Sequence, residues 1–473
     1  MKFTSFRDPA GRVFFDEHEV TRVIAASTRE QFEEFLDLET VSEWKASGTL
    51  IAVEPVESPL DLNGLSEVVS QGDLVVKHPR IWFPSYPYEW PPEMLEAAGL
   101  LTLEISATLL DIGWALKDAT PFNILFRGTK PVFIDLLSFE KRSAGDPIWL
   151  PYQQFVNTFL LPLLVNKRFG VTLRTTFLAD REGLDVIQTS GYLAGVFRLS
   201  RTALGLVTLP KMLSSKAEST ADLYAKKRRM EPERARFVLG QTFRRLRKNL
   251  RRVSRDPKQS SAWIGYTEHN VSTIPEYMSA KQKFVEQMLR RMRPKSVLDV
   301  GCNTGYFSFF AARLGAKVVA VDHDPVVVGR VWRDADTEGL DVLPLVVDIC
   351  KPSPRIGWRN SEVPSFLDRA EGRFELVMML AVLHHIIVQD RIPLREVLKL
   401  ACDLTTKALI IEFVPATDPL FRKIARGRDY LHTEFTQSAF EAAVNEFFDI
   451  VESARLPDTD RIIYFLNLKT TSR

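Results

Sequence analysis

Residues 277–469 are predicted to form an α/β fold built on a parallel sheet, and three observations predict it. Strand-like and helix-like patterns alternate along the stretch, as they do when helices cover both faces of a parallel sheet. A short β-rich run, Ser296-Val297-Leu298-Asp299-Val300, feeds a glycine turn, Gly301-Cys302-Asn303-Thr304-Gly305. A helical pattern follows, with Phe307, Phe310, Ala311 and Leu314 at helical spacing, and the next run, Lys317–Val321, ends on Asp322.

This strand–turn–helix–strand–acid order has a chemical reading. A nucleoside ligand lies across the carboxyl ends of the strands, at the switch point of an open sheet. Gly301 and Gly305 let the backbone turn sharply and approach a ligand with no Cβ in the way. Asp322 can accept two hydrogen bonds from a ribose diol, and bonds to a charged group are worth about 1.5–3 kcal/mol. Dinucleotide folds want G-x-G-x-x-G to seat a pyrophosphate on a helix N-terminus. Here the turn is Gly301-x-x-x-Gly305, with Asp299 inside the strand before it.

The turn resembles motif I of the class I S-adenosylmethionine-dependent methyltransferases. Downstream runs follow the family order: Val342–Asp348, Phe374–Leu380 with its continuation LAVLHHI, and Ala408–Phe413. Phe447–Val451 and Arg461–Leu468 match the antiparallel pair that closes such a sheet, and Glu276–Arg291 reads as a helix before the first strand. The resemblance implies a Rossmann-like seven-stranded methyltransferase sheet with S-adenosyl-L-methionine as cofactor. It implies cofactor contacts at Asp299, Gly301, Cys302, Asn303, Gly305, Asp322, His323, Asp348, Ile349 and Leu380. The loop between Cys350 and Arg373 is longer than the family average.

Methyl transfer needs proximity, orientation and sometimes a base, because the cofactor supplies the reactivity. His384 and His385 follow the fourth strand, where the family builds its substrate side. A histidine there can take a proton from a hydroxyl or amine, or it can pack or cap the helix that follows. Glu412, at the end of the fifth strand, is a further catalytic candidate, with a salt bridge as the alternative. Cys302 reads as a small packing residue, and His432, in HTEF, as a surface histidine. The methyl acceptor is expected to be an O or N atom of a small or carrier-borne metabolite.

The N-terminal zone reads differently. It is rich in aromatics and proline, as in WFPSYPYEWPPEML at 82–95, and Leu100–Leu116 reads as a buried helix. Asn123–Phe126 and Val132–Asp135 form two short strands joined by Arg127-Gly128-Thr129-Lys130. Asp118 and Asn123 have the spacing of the kinase catalytic loop, and Asp135 follows the second strand. This segment resembles the core of the kinase-like phosphotransferases, which implies an Mg-ATP site at Asp118, Asn123 and Asp135. No glycine-rich phosphate loop precedes it, and Lys77 in LVVKHP is the nearest stand-in for the ATP-pairing lysine. The resemblance therefore implies a degenerate kinase-like lobe, with a bifunctional phosphotransferase as the alternative.

At 473 residues the chain is too long for one core. Three domains are expected: an α+β kinase-like domain over 1–170, a helical basic connecting region over 171–256, and the methyltransferase domain over 257–473. DPKQSSAW at 256–263 reads as a linker. Residues 216–258 hold fifteen Lys or Arg against five Asp or Glu. Val238, Phe243, Leu246, Leu250 and Val253 give part of that stretch one apolar face. Nucleic acid is a candidate partner through this local clustering alone, with RNA methylation as a further alternative, because the net charge of only +2 gives no bulk attraction to phosphates. Three cysteines about fifty residues apart make neither a metal site nor a disulfide framework. The N-terminus lacks an apolar signal region, and no run reaches the ~20 apolar residues of a membrane span. A cytoplasmic setting is the expectation. Oligomeric state is not legible.

Overall fold

The computed structural model describes residues 2–5, 8–15, 19–56, 69–193, 200–214, 229–254 and 275–469. The chain forms two compact units, Met1–Arg127 with Pro131–Pro257, and Lys258–Arg473 with Gly128–Lys130. The expected linker at 256–263 and the cations Lys226, Lys227 and Arg228 lie outside the described residues.

The first unit opens with five strands: β1 (Lys2–Ser5), β2 (Gly11–Phe15), β3 (Glu19–Ile24), β4 (Glu54–Pro55) and β5 (Leu74–Pro79). They form one antiparallel sheet in the order β1-β2-β3-β5-β4. Residues Thr21 to Ile24 are all buried, Arg22 among them. β6 (Trp114–Leu116) then pairs with β9 (Phe139–Lys141), and β7 (Ile124–Arg127) forms a hairpin with β8 (Lys130–Phe133).

The stretch Leu100–Leu116, expected as one buried helix, is helical only as far as Asp111: the helix is Pro92–Asp111, which starts on a proline at its first position, and Trp114–Leu116 is the strand β6. Proline suits that position because its missing N–H has no intrahelical partner there. The basic helix runs over Pro232–Ser254, with Leu239, Phe243, Leu246, Leu250 and Val253 buried. Burying each such side chain is worth about 1.5–3 kcal/mol, so this face holds the helix, and the arginines remain outside. Its contact with Pro92–Asp111 is close. A Cβ on Gly99 would stand 2.8 Å from Leu250 Cδ2 and 3.0 Å from Phe159 Cδ1. The basic helix thus packs within the first unit. No described helix is long and apolar enough to cross a membrane.

The second unit is a sheet covered by helices. Its strands are β10 (Ser296–Val300), β11 (Lys317–Asp322), β12 (Val342–Val346), β13 (Phe374–Met379), β14 (Thr405–Phe413), β15 (Phe448–Arg455) and β16 (Ile462–Leu468). The order is β12-β11-β10-β13-β14-β16-β15. β10 to β14 are parallel, and β16 runs antiparallel between β14 and β15. The chain moves outward from β10 to β12, then returns to β13 on the other side of β10. That reversal opens a crevice at the carboxyl ends of β10 and β13, where open α/β sheets hold ligands. The helix Pro275–Met292 packs Phe284, Val285, Met288 and Leu289 into the core. Its first turns reach the crevice.

Candidate functional site

The crevice is a cleft of about 670 Å³. β10 delivers the glycine turn to its floor. The N–H groups of Gly301 and Cys302 both donate to the Val321 carbonyl, at 2.9 and 3.0 Å, which ties the turn to β11. Gly301 has φ +72°, Asn303 +47° and Gly305 +82°. A Cβ on Gly305 would meet Phe309 and Val331 at 3.1 Å, so this glycine serves close packing of the following helix. Gly305 is absent from the cleft lining, whereas Gly301, Cys302 and Asn303 line it.

Asp322 ends β11 and faces the cleft. Its two oxygens accept backbone N–H bonds from Asn303, at 3.1 Å, and Asp324, at 3.0 Å. A carboxylate has about four lone-pair sites, so these two backbone bonds leave acceptor capacity for a ligand hydroxyl. Burial raises its pKa, and the backbone bonds oppose that rise. His323 Nδ1 lies 3.3 Å from the same carboxylate on the exposed side. Asp348 and Ile349 follow β12 into the cleft, and Leu380 follows β13. Asp348 accepts the Cys350 N–H at 2.9 Å. Lys351, beside it, bridges to Asp390 at 2.9 Å.

Asp299 is buried within β10, and burial pushes its pKa up to about 6. It accepts a 2.6 Å hydrogen bond from Ser308. Burial and the two neighbouring aspartates push the Cys302 thiol well above its usual range. A thiol held protonated is a poor nucleophile.

The catalytic candidates separate. His385 lines the cleft, half-buried, with Nδ1 3.3 Å from Gln389 Oε1. Burial lowers its pKa, so it is neutral at pH 7. His384 points elsewhere. It is buried outside the cleft lining, both ring nitrogens lack a partner among the described residues, and burial lowers its pKa to about 3. Glu412 is also outside the lining. It is fully buried, with Lys281 Nζ at 2.6 Å, the Tyr277 hydroxyl donating at 2.7 Å and Arg461 Nη1 at 3.4 Å. The two cations, with these hydrogen bonds, outweigh its burial and hold its pKa down at about 2. Arg461 also grips Asp418 through Nε at 2.8 Å and Nη2 at 3.1 Å. A carboxylate so enclosed joins the helix Pro275–Met292 to β14 and β16. It is placed to hold structure, as in the salt-bridge alternative.

The same network brings Tyr277, Met278 and Lys281 to the cleft wall, which the sequence reading missed. Lys281 is one of many charges on a helix and gives no local signal of burial. Tyr306 and Phe307, at the start of the next helix, line the cleft as well.

In the first unit, Asp118, Asn123 and Asp135 lie in one neighbourhood. Asp135 Oδ2 accepts from Ser138 Oγ at 2.7 Å, and Asn123 Nδ2 donates to the same hydroxyl at 3.2 Å. Asp118 Oδ1 is 3.4 Å from Gln154 Nε2, and burial raises its pKa. The cation that meets Asp135 is Arg22 of β3, whose Nη1 lies 3.3 Å from Oδ1. Lys77, the expected stand-in, pairs instead with Glu19 at 2.7 Å. Among the described residues no group of three or more His, Cys, Asp or Glu side chains could hold a metal ion.

Comparison with known proteins gives this geometry a setting. A family model described as a methyltransferase domain matches residues 240–426. The chain is 30% identical over 468 residues to the nodulation protein NoeA of Rhizobium meliloti (strain 1021), a match covering 97% of this chain and 94% of that protein. It is 31% identical over 156 residues to the O-antigen chain terminator bifunctional methyltransferase/kinase WbdD of Escherichia coli, covering 33% of this chain and 20% of that one. Among solved structures, magnesium protoporphyrin IX methyltransferase of Synechocystis PCC 6803 with bound SAH aligns at a TM-score of 0.31 and 17% identity, over 41% of this chain and 86% of that one.

Proposed function

Given that the chain belongs to the family of the nodulation protein NoeA and is an S-adenosylmethionine-dependent methyltransferase, we propose that it methylates an oxygen or nitrogen atom of a small or carrier-borne metabolite. The observation that carries the reading is Asp322, a carboxylate at a strand end that lines a 670 Å³ cleft and is met only by two backbone N–H groups and the exposed His323 imidazole. When bound, the cofactor supplies a methyl group activated by its sulfonium. Asp322 holds the ribose diol, with Asp348 and Ile349 beside the base. Asp299 would offer its carboxylate to the ammonium group at the methionine end, and Lys281, already paired with Glu412, would form the wall there. His385 takes the proton that the acceptor gives up. A carrier-borne acceptor is in keeping with the O-antigen chain in the name of the Escherichia coli relative.

Calorimetric titration with S-adenosylhomocysteine, the product form of the cofactor, tests the reading. Micromolar or tighter binding is expected. Gly301→Val should abolish it, because a β-branched residue is strained at φ +72° and its Cβ would press on Val382 at 3.2 Å. No binding by the folded wild-type protein would overturn the assignment. His385 must be neutral to accept a proton. Burial places its pKa below the ordinary 6.5, so turnover should hold above that pH and fall below it. An acid limb left unchanged by His385→Gln would remove His385 from this role.

A second reading concerns the first unit. We propose that it is a degenerate kinase-like lobe, because Arg22 and Ser138 occupy the carboxylate that a magnesium ion would need.

A further inference from the structure

The carboxyl edge of the second unit's sheet carries two segments whose outer sides are used neither by the core nor by the cleft. β14 runs parallel to β13, so the chain leaves it at the edge where the cleft opens. It then forms a short helix, Pro419–Ala425, and a 3₁₀ turn, Asp429–His432. Phe421 and Ala425 pack on Val414, with Val388 and Phe435 against them. Val388 ends the helix Leu383–Val388, and His385 of that helix lines the cleft. Arg461 fixes the start of the segment through Asp418. The segment is therefore a packed cap beside the site.

Its outer side has an unusual composition. Arg422, Lys423, Arg426 and Arg428 are all exposed, make no ion pair among the described residues, and have no carboxylate between them in the chain. Asp429 comes next in the chain, and then Tyr430 and Leu431, 67% and 64% exposed. The long loop leaving the carboxyl end of β12, at the opposite end of the parallel strands from β14, exposes Trp358, at 62%, next to Arg359, which is also exposed. Large apolar side chains left in water beside unpaired cations lose free energy that a suitable partner would recover. Cations beside Trp, Tyr and Leu suit a bilayer interface, where the charges meet anionic headgroups and the apolar groups enter the acyl boundary. Trp358 and Tyr430 offer stacking faces to a single-stranded nucleic acid, but the exposed Leu431 adds none and suits an acyl boundary instead. A soluble phosphate would be held inside the cleft, and none of these cations lines it.

We propose that Val414–Phe435, with Trp358 and Arg359, docks the methyltransferase unit on an anionic lipid surface, so that the cleft opens toward acceptors held at a bilayer. The proposal rests on the methyltransferase reading and narrows its carrier-borne acceptor to one carried by a lipid. It requires no membrane-spanning segment.

The test is co-sedimentation of the full chain with two kinds of vesicle, phosphatidylcholine alone and phosphatidylcholine mixed with phosphatidylglycerol. Binding to the mixed vesicles alone is expected, weakening as salt rises. The combined change Arg422→Glu, Lys423→Glu and Arg426→Glu should lower partitioning on the order of a hundredfold or more, at about one kcal/mol per cation near the surface. Trp358→Ser with Leu431→Ser should lower it severalfold at unchanged charge, which electrostatics alone would not do. S-adenosylhomocysteine affinity should match the wild type in both variants, showing that the fold and cleft survive. Failure of that titration in the wild type would strike the methyltransferase reading and leave the vesicle result standing by itself. No vesicle binding by the wild type would overturn the proposal. So would equal partitioning of the charge-reversed variant, or loss of binding only on Arg244→Glu with Lys248→Glu and Arg251→Glu in the helix Pro232–Ser254.

Discussion

Asp322 in the second unit and Asp135 in the first stand in similar places, each at or just after the end of a strand and each on a turn that the sequence offers to a nucleotide. Their surroundings differ in one respect. Asp322 is held only by backbone N–H groups, at 3.0 and 3.1 Å, apart from the exposed imidazole of His323. Asp135 meets the guanidinium of Arg22, which is itself buried, and caps its own turn through the Leu137 N–H. Backbone donors orient a carboxylate and leave its charge for a ligand, whereas a buried cation claims that charge. Glu412 extends the series, since two buried cations and a tyrosine enclose it. A carboxylate at a strand end is thus available to a ligand in inverse proportion to the fixed cations around it.

The strongest test of that rule is Glu412→Gln. The change keeps the shape and removes the charge, leaving Lys281 and Arg461 buried without their shared partner. Breaking such a pair costs about 3–5 kcal/mol, to be read by denaturant unfolding. The acid side carries the same prediction. Glu412 titrates at about 2 when folded and near 4.5 when unfolded. Its contribution is therefore complete above about pH 4.5 and is lost as the pH falls toward 2. A variant as stable as the wild type would mean that the network is ornamental and would break the series at its top.

Asp322→Asn should behave in the opposite sense. S-adenosylhomocysteine affinity should fall tenfold or more, from the loss of hydrogen bonds worth about 1.5–3 kcal/mol to a charged acceptor. Stability at neutral pH should hold or rise, because burial raises the Asp322 pKa and its ionised form therefore costs the folded state. A variant that lost stability and kept its affinity would place Asp322 with Glu412, and the comparison would fail.

What the sequence made legible follows the same division. Gly301, Asn303 and Asp322 sit on one strand–turn–helix–strand unit, so local patterning reveals both the fold and the ligand side of the cleft. The Glu412 network draws on Tyr277 and Lys281 from one helix, Glu412 from β14, and Arg461 next to β16. These residues are up to 184 positions apart in the chain. Only the closure of the sheet brings them together, and a lone Lys or Arg in a sequence reads as surface. Arg22 was hidden for a related reason. A short strand, EVTRVI, gives no hint that its one cation turns inward toward a hairpin 113 residues away.

The smallest expected effect belongs to Asp135. Asp135→Asn removes a partly exposed ion pair but keeps a side-chain oxygen to accept the Leu137 N–H, so the loss should be about 1 kcal/mol or less. Mg-ATP should leave the melting temperature of the wild type unchanged. A ligand at a hundred times its Kd would add about 2.7 kcal/mol, a shift too large to miss. The sharper experiment is Arg22→Ala, which removes the cation from the Asp135 carboxylate, leaves its Ser138 and Leu137 bonds, and does not touch Asp118 or Asn123. If the arginine alone blocks the site, Mg-ATP should stabilise this variant and not the wild type. Stabilisation of the wild type would show that a carboxylate can serve a cation of its own chain and a nucleotide's metal together, and the rule drawn from Asp322 and Glu412 would then apply only within the methyltransferase unit.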